Sequence, residues 1–312
     1  MRIRWAPGNS VTAKLKLTMK AYLFPGQGSQ FSGMGKELYE SNPIARELFD
    51  KANEVLGFKL TEIMFNGSDE QLQRTEITQP AVFVHSVVTA LAQGEDFRPD
   101  MVAGHSLGEI SALTAAGVLS FEDGLKLVYA RALAMQKCCD ERPGSMISVI
   151  GLPDEKLVEI CREYAGNHPE HVLVAANFNS PGNVAVSGSS EAVQEITGIF
   201  MEAGAKMVVP VKVSGAFHSP MMEAAAGSLA EAIESVEFHS PRCPVYQNVD
   251  ALPHTDPAEL KANLLKQLSS SVLWTQSVLN MLRDGMTEFE ECGPGKVLTS
   301  LVTRIRRSAS RA

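Results

Sequence analysis

The five residues Gly104-His105-Ser106-Leu107-Gly108 match the nucleophile elbow G-x-S-x-G. In that motif two glycines flank a tight strand-to-helix turn that lifts a serine hydroxyl above the end of a sheet. The context agrees. A short apolar strand is predicted from Asp100 to Gly104, and a helix of small residues follows to about Gly117. The free N–H groups at the start of that helix carry partial positive charge, and the N–H of Leu107 is one donor available to an oxyanion. The bare pattern also fits a glycine-bounded turn with a capping serine, so the flanking elements carry the reading.

A serine is a weak nucleophile at neutral pH and needs a base. The chain holds seven histidines. His105 adjoins the serine, but neighbours on a sharp turn point apart. His85 lies in an apolar helical stretch and reads as a core residue. His168 and His171 fall in a polar loop, and His239 and His254 in proline-containing connections. His218 is the best placed: Ser214-Gly-Ala-Phe-His-Ser-Pro is a glycine-bearing loop after a predicted strand, where a rigid scaffold presents reactive groups.

Arg131 is the only charge between Leu127 and Met135, on a helical face shared with Val128 and Met135. Such an arginine either snorkels or meets a buried anion. A substrate carboxylate suits it, because guanidinium grips carboxylate with two parallel prongs. Gln27 sits in Pro25-Gly-Gln-Gly-Ser-Gln, either bonding its own turn or donating to an oxyanion. Glu109, three residues past the serine, reads as an early-turn helix charge rather than a triad acid.

The elements that must position these groups read as an α/β protein. Residues 20–24 are a short buried strand, 35–56 and 79–93 carry helix-period apolar residues, and 121–138 is a helix opened by Ser120. Strand, tight turn and helix in repetition predict a large, α/β-hydrolase-like domain with a mainly parallel sheet. The order then becomes β-α-β-β-α-β, the ferredoxin-like arrangement. The expected layout is a catalytic domain of residues 19–139 and 212–312 with a small ferredoxin-like domain, 140–211, inserted. Residues 1–18 are polar and basic, read as a disordered extension and set apart from the fold.

At 312 residues, 45% hydrophobic and 21% charged, the chain can bury a core large enough for a pocket. A net charge of −8 argues against a nucleic-acid binder. The densest basic run is Arg304, Arg306, Arg307 and Arg311, read as a solvated tail. Five cysteines without CxxC spacing predict reduced thiols in a cytoplasmic protein. No apolar run reaches the ~20 residues of a membrane span, and no metal-ligand cluster is visible.

Six ordered stretches resemble the malonyl-CoA:acyl carrier protein transacylases and the acyltransferase domains of fatty acid and polyketide synthases. They are Phe24-Pro-Gly-Gln-Gly-Ser-Gln, Thr78-Gln-Pro-Ala, Gly104-His-Ser-Leu-Gly-Glu with Arg131 beyond it, Asn179-Ser-Pro-Gly, Phe217-His-Ser-Pro-Met-Met and Gly293-Pro-Gly-Lys-Val-Leu. They span about residues 20–303. The resemblance implies Ser106 as acyl-carrying nucleophile and His218 as its general base and later acid. It implies Gln27 and the Leu107 N–H at the oxyanion hole, and Arg131 on the malonyl carboxylate. Gln267 would orient His218 through its main-chain carbonyl.

The resemblance also implies malonyl-CoA as substrate, coenzyme A as product, acyl carrier protein as partner, and no bound cofactor, metal, nucleic acid or membrane. A monomer is expected. Two alternatives stay open on the residues alone: a serine esterase or thioesterase of the α/β-hydrolase type, and a non-catalytic coenzyme A or carrier-binding protein.

Overall fold

The structure, a computed structural model, describes residues 18–310. The extension expected at 1–18 lies outside these residues except for Thr18, as does Arg311. Nine strands occur in chain order among the described residues: β1 (Lys20–Phe24), β2 (Met101–Gly104), β3 (Gly144–Ile150), β4 (Leu173–Ser180), β5 (Asn183–Ser189), β6 (Met207–Pro210), β7 (Val245–Tyr246), β8 (Pro253–His254) and β9 (Glu288–Glu291).

The first sheet has the order β8-β7-β2-β1-β9 and is parallel except for β8, which runs antiparallel to β7. Its middle strands are apolar on both sides because helices cover both faces. Ala21 and Leu23 face Trp274 and Val278 of the helix Trp274–Arg283, while Tyr22 and Phe24 face the opposite cluster with Val82, Leu113 and Val128. The pairing Phe24↔Gly104 ends β1 and β2 at the same level. Two glycine loops therefore emerge side by side, so close that a Cβ on Gly26 would lie 2.6 Å from the His105 carbonyl oxygen.

The second sheet has the order β4-β5-β3-β6 and is antiparallel throughout, with helices Asp154–Asn167 and Ser190–Glu202 in the β-α-β-β-α-β order. Alternation along β3 divides its side chains. Ile147 and Val149 join Leu157, Ile196 and Phe200 under the helices, and Met146 and Ser148 face a cavity toward the first sheet. The Val272 carbonyl accepts from Phe178 N at 2.9 Å and Val272 N donates to the Ala176 carbonyl at 2.8 Å, tying β4 to the loop after helix Pro257–Gln267.

Three expectations change in detail. The helix expected over 35–56 is two, Lys36–Ser41 and Pro43–Leu56, because Asn42 is extended and its side chain accepts from Ala45 N at 3.0 Å. Apolar spacing runs through the break, so periodicity alone misses it. The helix expected over 220–236 opens with a 3₁₀ stretch, Pro220–Ala225, before Ala226–Glu234. Arg304, Arg306 and Arg307 of the basic run are exposed as expected, but on a packed helix, Val297–Ala309, where Arg306 covers the Phe289 ring and donates to the Thr287 carbonyl at 2.7 Å. No helix among the described residues is long and apolar enough to cross a membrane. All five cysteines are buried and free.

Candidate active site

Ser106 follows β2 with φ +54°, a left-handed conformation that L-residues rarely adopt. Its flanking glycines are required by space. A Cβ on Gly104 would collide with the Gly108 backbone, and one on Gly108 with the Phe24 carbonyl. The turn is thus pressed between its own helix, Gly108–Ala115, and the end of β1.

His218 reaches the serine from the loop after β6. Its backbone is also left-handed, φ +57°, and its ring is buried. Nε2 lies 2.7 Å from Ser106 Oγ, and Nδ1 lies 3.1 Å from the carbonyl oxygens of both Gln267 and Ser270. Two carbonyls can only accept, so Nδ1 carries the proton and Nε2 faces the hydroxyl as the acceptor. Burial, with the charges of Arg131 and His105 adding to it, pushes the imidazole down to about 3 against those carbonyls. The ring is neutral at physiological pH and free to take a proton.

Arg131, from the helix Phe121–Glu141, is buried with its guanidinium under the serine. Nη1 donates to Gln79 Oε1 at 2.8 Å; Nη2 donates to Gln267 Oε1 and Ser106 Oγ, both at 3.1 Å. No carboxylate lies within salt-bridge distance among the described residues. Burial pulls it down to about 10, opposed by the charge of the nearby Glu109 carboxyl, which leaves it charged. The two glutamine amides aim the cation without a salt bridge to it, so its fork is open to an incoming anion.

Gln27 and Leu107 line the same cavity as Ser106 and His218, a space of about 270 Å³ between the two sheets. Gln27 Oε1 is buried without a hydrogen-bond partner. Leu107 precedes the first turn of the elbow helix, where N–H groups lack intrahelical partners. All six residues singled out in the sequence therefore meet at one end of the first sheet. Among the described residues no group of three or more His, Cys, Asp or Glu is arranged to hold a metal.

Sequence reasoning misses several members. Gln267 contributes its side chain as well as its carbonyl: Nε2 donates to the Ser106 carbonyl at 2.8 Å. Gln79 stands in the Thr78-Gln-Pro-Ala stretch without an assigned role. Asn248 holds the Ser106 N–H at 2.7 Å, and no local signal marks it. Glu109 is the first-turn helix charge expected and not a triad acid, and it is fully buried. Its oxygens accept from Asn248 N at 2.7 Å and Gln247 Nε2 at 3.1 Å. Burial pushes its carboxyl up to about 7, opposed by these donors and by Arg131. His105 is tied to Asn179 at 3.0 Å and lies beside Trp274, away from the hydroxyl. His85, expected in the core, is half-buried on the helix Thr75–Leu91, with burial pushing it down to about 4.

The chemistry available is that of a serine with a neutral base, a buried cation free of salt bridges and a mixed polar and apolar cleft. Known proteins share the arrangement's scaffold. Residues 21–312 match the model of the acyl transferase domain family. The malonyl CoA-acyl carrier protein transacylase of Bacillus subtilis (strain 168) is 40% identical over 92% of this chain and 90% of its own length. That of Haemophilus influenzae is 41% identical over 91% of each. Among solved structures, an acyl carrier protein S-malonyltransferase from Vibrio cholerae superposes with a TM-score of 0.87 at 40% identity, covering 93% of this chain and 94% of that one. A malonyl-transacylase in complex with a type II PKS acyl-carrier protein superposes with a TM-score of 0.89 at 38% identity, over 93% and 94% of the two chains. The elbow serine, its distant histidine and the buried arginine thus stand in a fold shared almost end to end with these relatives, and the chain belongs to the acyl transferase domain family.

Proposed function

We propose that this chain moves a malonyl group from malonyl-CoA to the phosphopantetheine thiol of acyl carrier protein, in two half-reactions through an ester on Ser106. The single observation that carries the reading is the 2.7 Å contact between Ser106 Oγ and His218 Nε2 above Arg131, whose Nη2 donates to the same oxygen. The transacylase names of relatives at about 40% identity, and the relative solved with its carrier protein, support the substrate and the partner.

In the first half-reaction Ser106 Oγ attacks the thioester carbonyl and its proton passes to His218 Nε2. Negative charge on the carbonyl oxygen is met by the Leu107 N–H and Gln27. The C–S bond breaks, and His218 returns the proton to the departing coenzyme A thiolate. In the second, the carrier thiol gives its proton to His218 and attacks the ester carbonyl. The C–O bond breaks and the proton goes back to Ser106. Ping-pong kinetics follow from two such steps on one residue. Arg131 takes the free malonyl carboxylate on its forked donors, at ~1.5–3 kcal/mol for such a contact. That is a preference for malonyl over acetyl of roughly tenfold to a hundredfold.

In this reading residues 19–139 and 212–312 form an α/β-hydrolase-like catalytic domain, and 140–211 a ferredoxin-like insertion that roofs the cleft. The mostly parallel first sheet and the antiparallel β4-β5-β3-β6 order support the assignment. The enzyme would work as a cytoplasmic monomer without a bound cofactor.

Mass spectrometry after mixing with malonyl-CoA tests the reading. The wild type gains one stable malonyl mass, and the Ser106→Ala variant gains none. Arg131→Ala loses malonyl transfer far more than acetyl transfer from acetyl-CoA, and equal losses would refute the carboxylate role. Prompt free malonate in place of an acyl-enzyme would indicate a hydrolase. No added mass on the wild type would refute catalysis through Ser106.

A further inference from the structure

Ser106 holds a backbone shape that a non-glycine residue adopts only under constraint. The constraint can be traced outward. The Ser106 N–H donates to Asn248 Oδ1 at 2.7 Å, and the same amide returns Nδ2 to the Gly104 carbonyl at 2.7 Å. One carboxamide thus brackets the turn from both sides. Asn248 is itself fixed by its backbone: its N–H donates to Glu109 Oε2 at 2.7 Å, and its carbonyl accepts from Leu273 N at 3.0 Å. The other Glu109 oxygen takes Gln247 Nε2, whose amide also bonds the Leu260 carbonyl and Asn263.

Glu109 therefore closes a loop. It lies on the helix that the elbow starts, its N–H donates to the Ser106 carbonyl at 3.0 Å, and its carboxylate grips the strand-end segment that holds the Ser106 N–H. It makes no hydrogen bond to Ser106 Oγ or to His218, and the transfer mechanism gives it no step. A carboxylate this deeply buried is costly unless its oxygens are satisfied. Here two donors meet two oxygens, a pattern that only an acceptor-only group fits; a glutamine would turn its NH₂ toward one donor.

We propose that Glu109 is a positioning residue that, through Asn248, sets the geometry from which Ser106 attacks. The proposal rests on reading Ser106 as the nucleophile. The clamp acts on the attacking oxygen's placement and not on substrate contacts, so its loss lowers the rate of acylation and leaves substrate binding alone.

The experiment is rapid-quench acylation of wild type, Glu109→Gln, Asn248→Ala and the double variant with malonyl-CoA, with thermal unfolding recorded in parallel. Each single variant should acylate roughly tenfold to a hundredfold more slowly, with KM within about twofold of wild type. The double variant should lose little beyond the worse single, because both act on one contact. Should Glu109→Gln fail to fold, Asn248→Ala carries the same readout. A folded variant with the wild-type acylation rate, or one whose whole deficit lies in KM, overturns the proposal. A wild type that takes up no malonyl overturns the reading of Ser106 instead.

Discussion

His218 illustrates how burial and a neighbouring cation tune a side chain. The imidazole is held neutral first by burial and then by the guanidinium beside it, with His105 adding to the effect. A histidine depressed to about 3 is the unprotonated, competent base throughout the neutral range. Acylation should therefore show no acid limb near 6.5, the ordinary histidine value, and should fall only at markedly lower pH. Removing Arg131 takes away a positive neighbour, so the limb should move upward. Single-turnover acylation by acetyl-CoA across pH, in wild type and Arg131→Ala, reads both. A wild-type limb near 6.5, unmoved by the substitution, would contradict the assigned cause.

The elbow is an element-scale device, since no single residue makes it. β1 and β2 end level, the chain turns through a left-handed serine, and the following helix is driven against the end of β1. Gly108 is the point of closest approach. Its added Cβ would meet the Phe24 and Pro25 carbonyls, backbone atoms that cannot rotate away. Gly108→Ala should thus destabilise the fold by ~1–3 kcal/mol, the usual cost of overpacking, and slow acylation by displacing Ser106. Urea unfolding and burst kinetics on the same preparation check the two effects. The helix Pro257–Gln267 is the other positioning element. Asp256 caps it and Pro257 opens it, and its last residue supplies both a carbonyl to His218 and an amide to Ser106.

At the scale of the whole molecule, a hydrogen-bonded chain runs from near the surface to the serine. His254 lies between Asp250 and Glu259, and Asn263 Nδ2 donates to Asp250 Oδ2 and to Gln247 Oε1, which leads on to Glu109 and Asn248. Burial lowers the His254 pKa, but the two carboxylates more than offset this and hold it above the ordinary value. A raised folded-state pKa adds stability that is complete below the unfolded value and is lost as pH rises through the folded one. Urea midpoints should therefore drop as pH rises above about 6.5, the ordinary histidine value, in the wild type, and drop less in His254→Gln. Equal drops would show that His254 is not the group responsible.

The elbow, the helix bearing Arg131 and the β-α-β-β-α-β order could be read from the chain because they depend on local rules. Glycines sit where a Cβ cannot fit, an N-cap opens a helix, and apolar spacing alternates or repeats within ten or twenty residues. Gln79, Asn248 and the Gln267 side chain were invisible because a polar residue's spacing along the chain does not reveal its partner. Glu109 was legible as a first-turn helix charge, but not its burial, because the segment that covers it lies far along the chain. Tertiary structure alone decided which amides meet the serine, because those contacts join residues up to 161 positions apart. It also decided that the arginine makes no salt bridge, since charge pairing depends on packing between elements and not on sequence order.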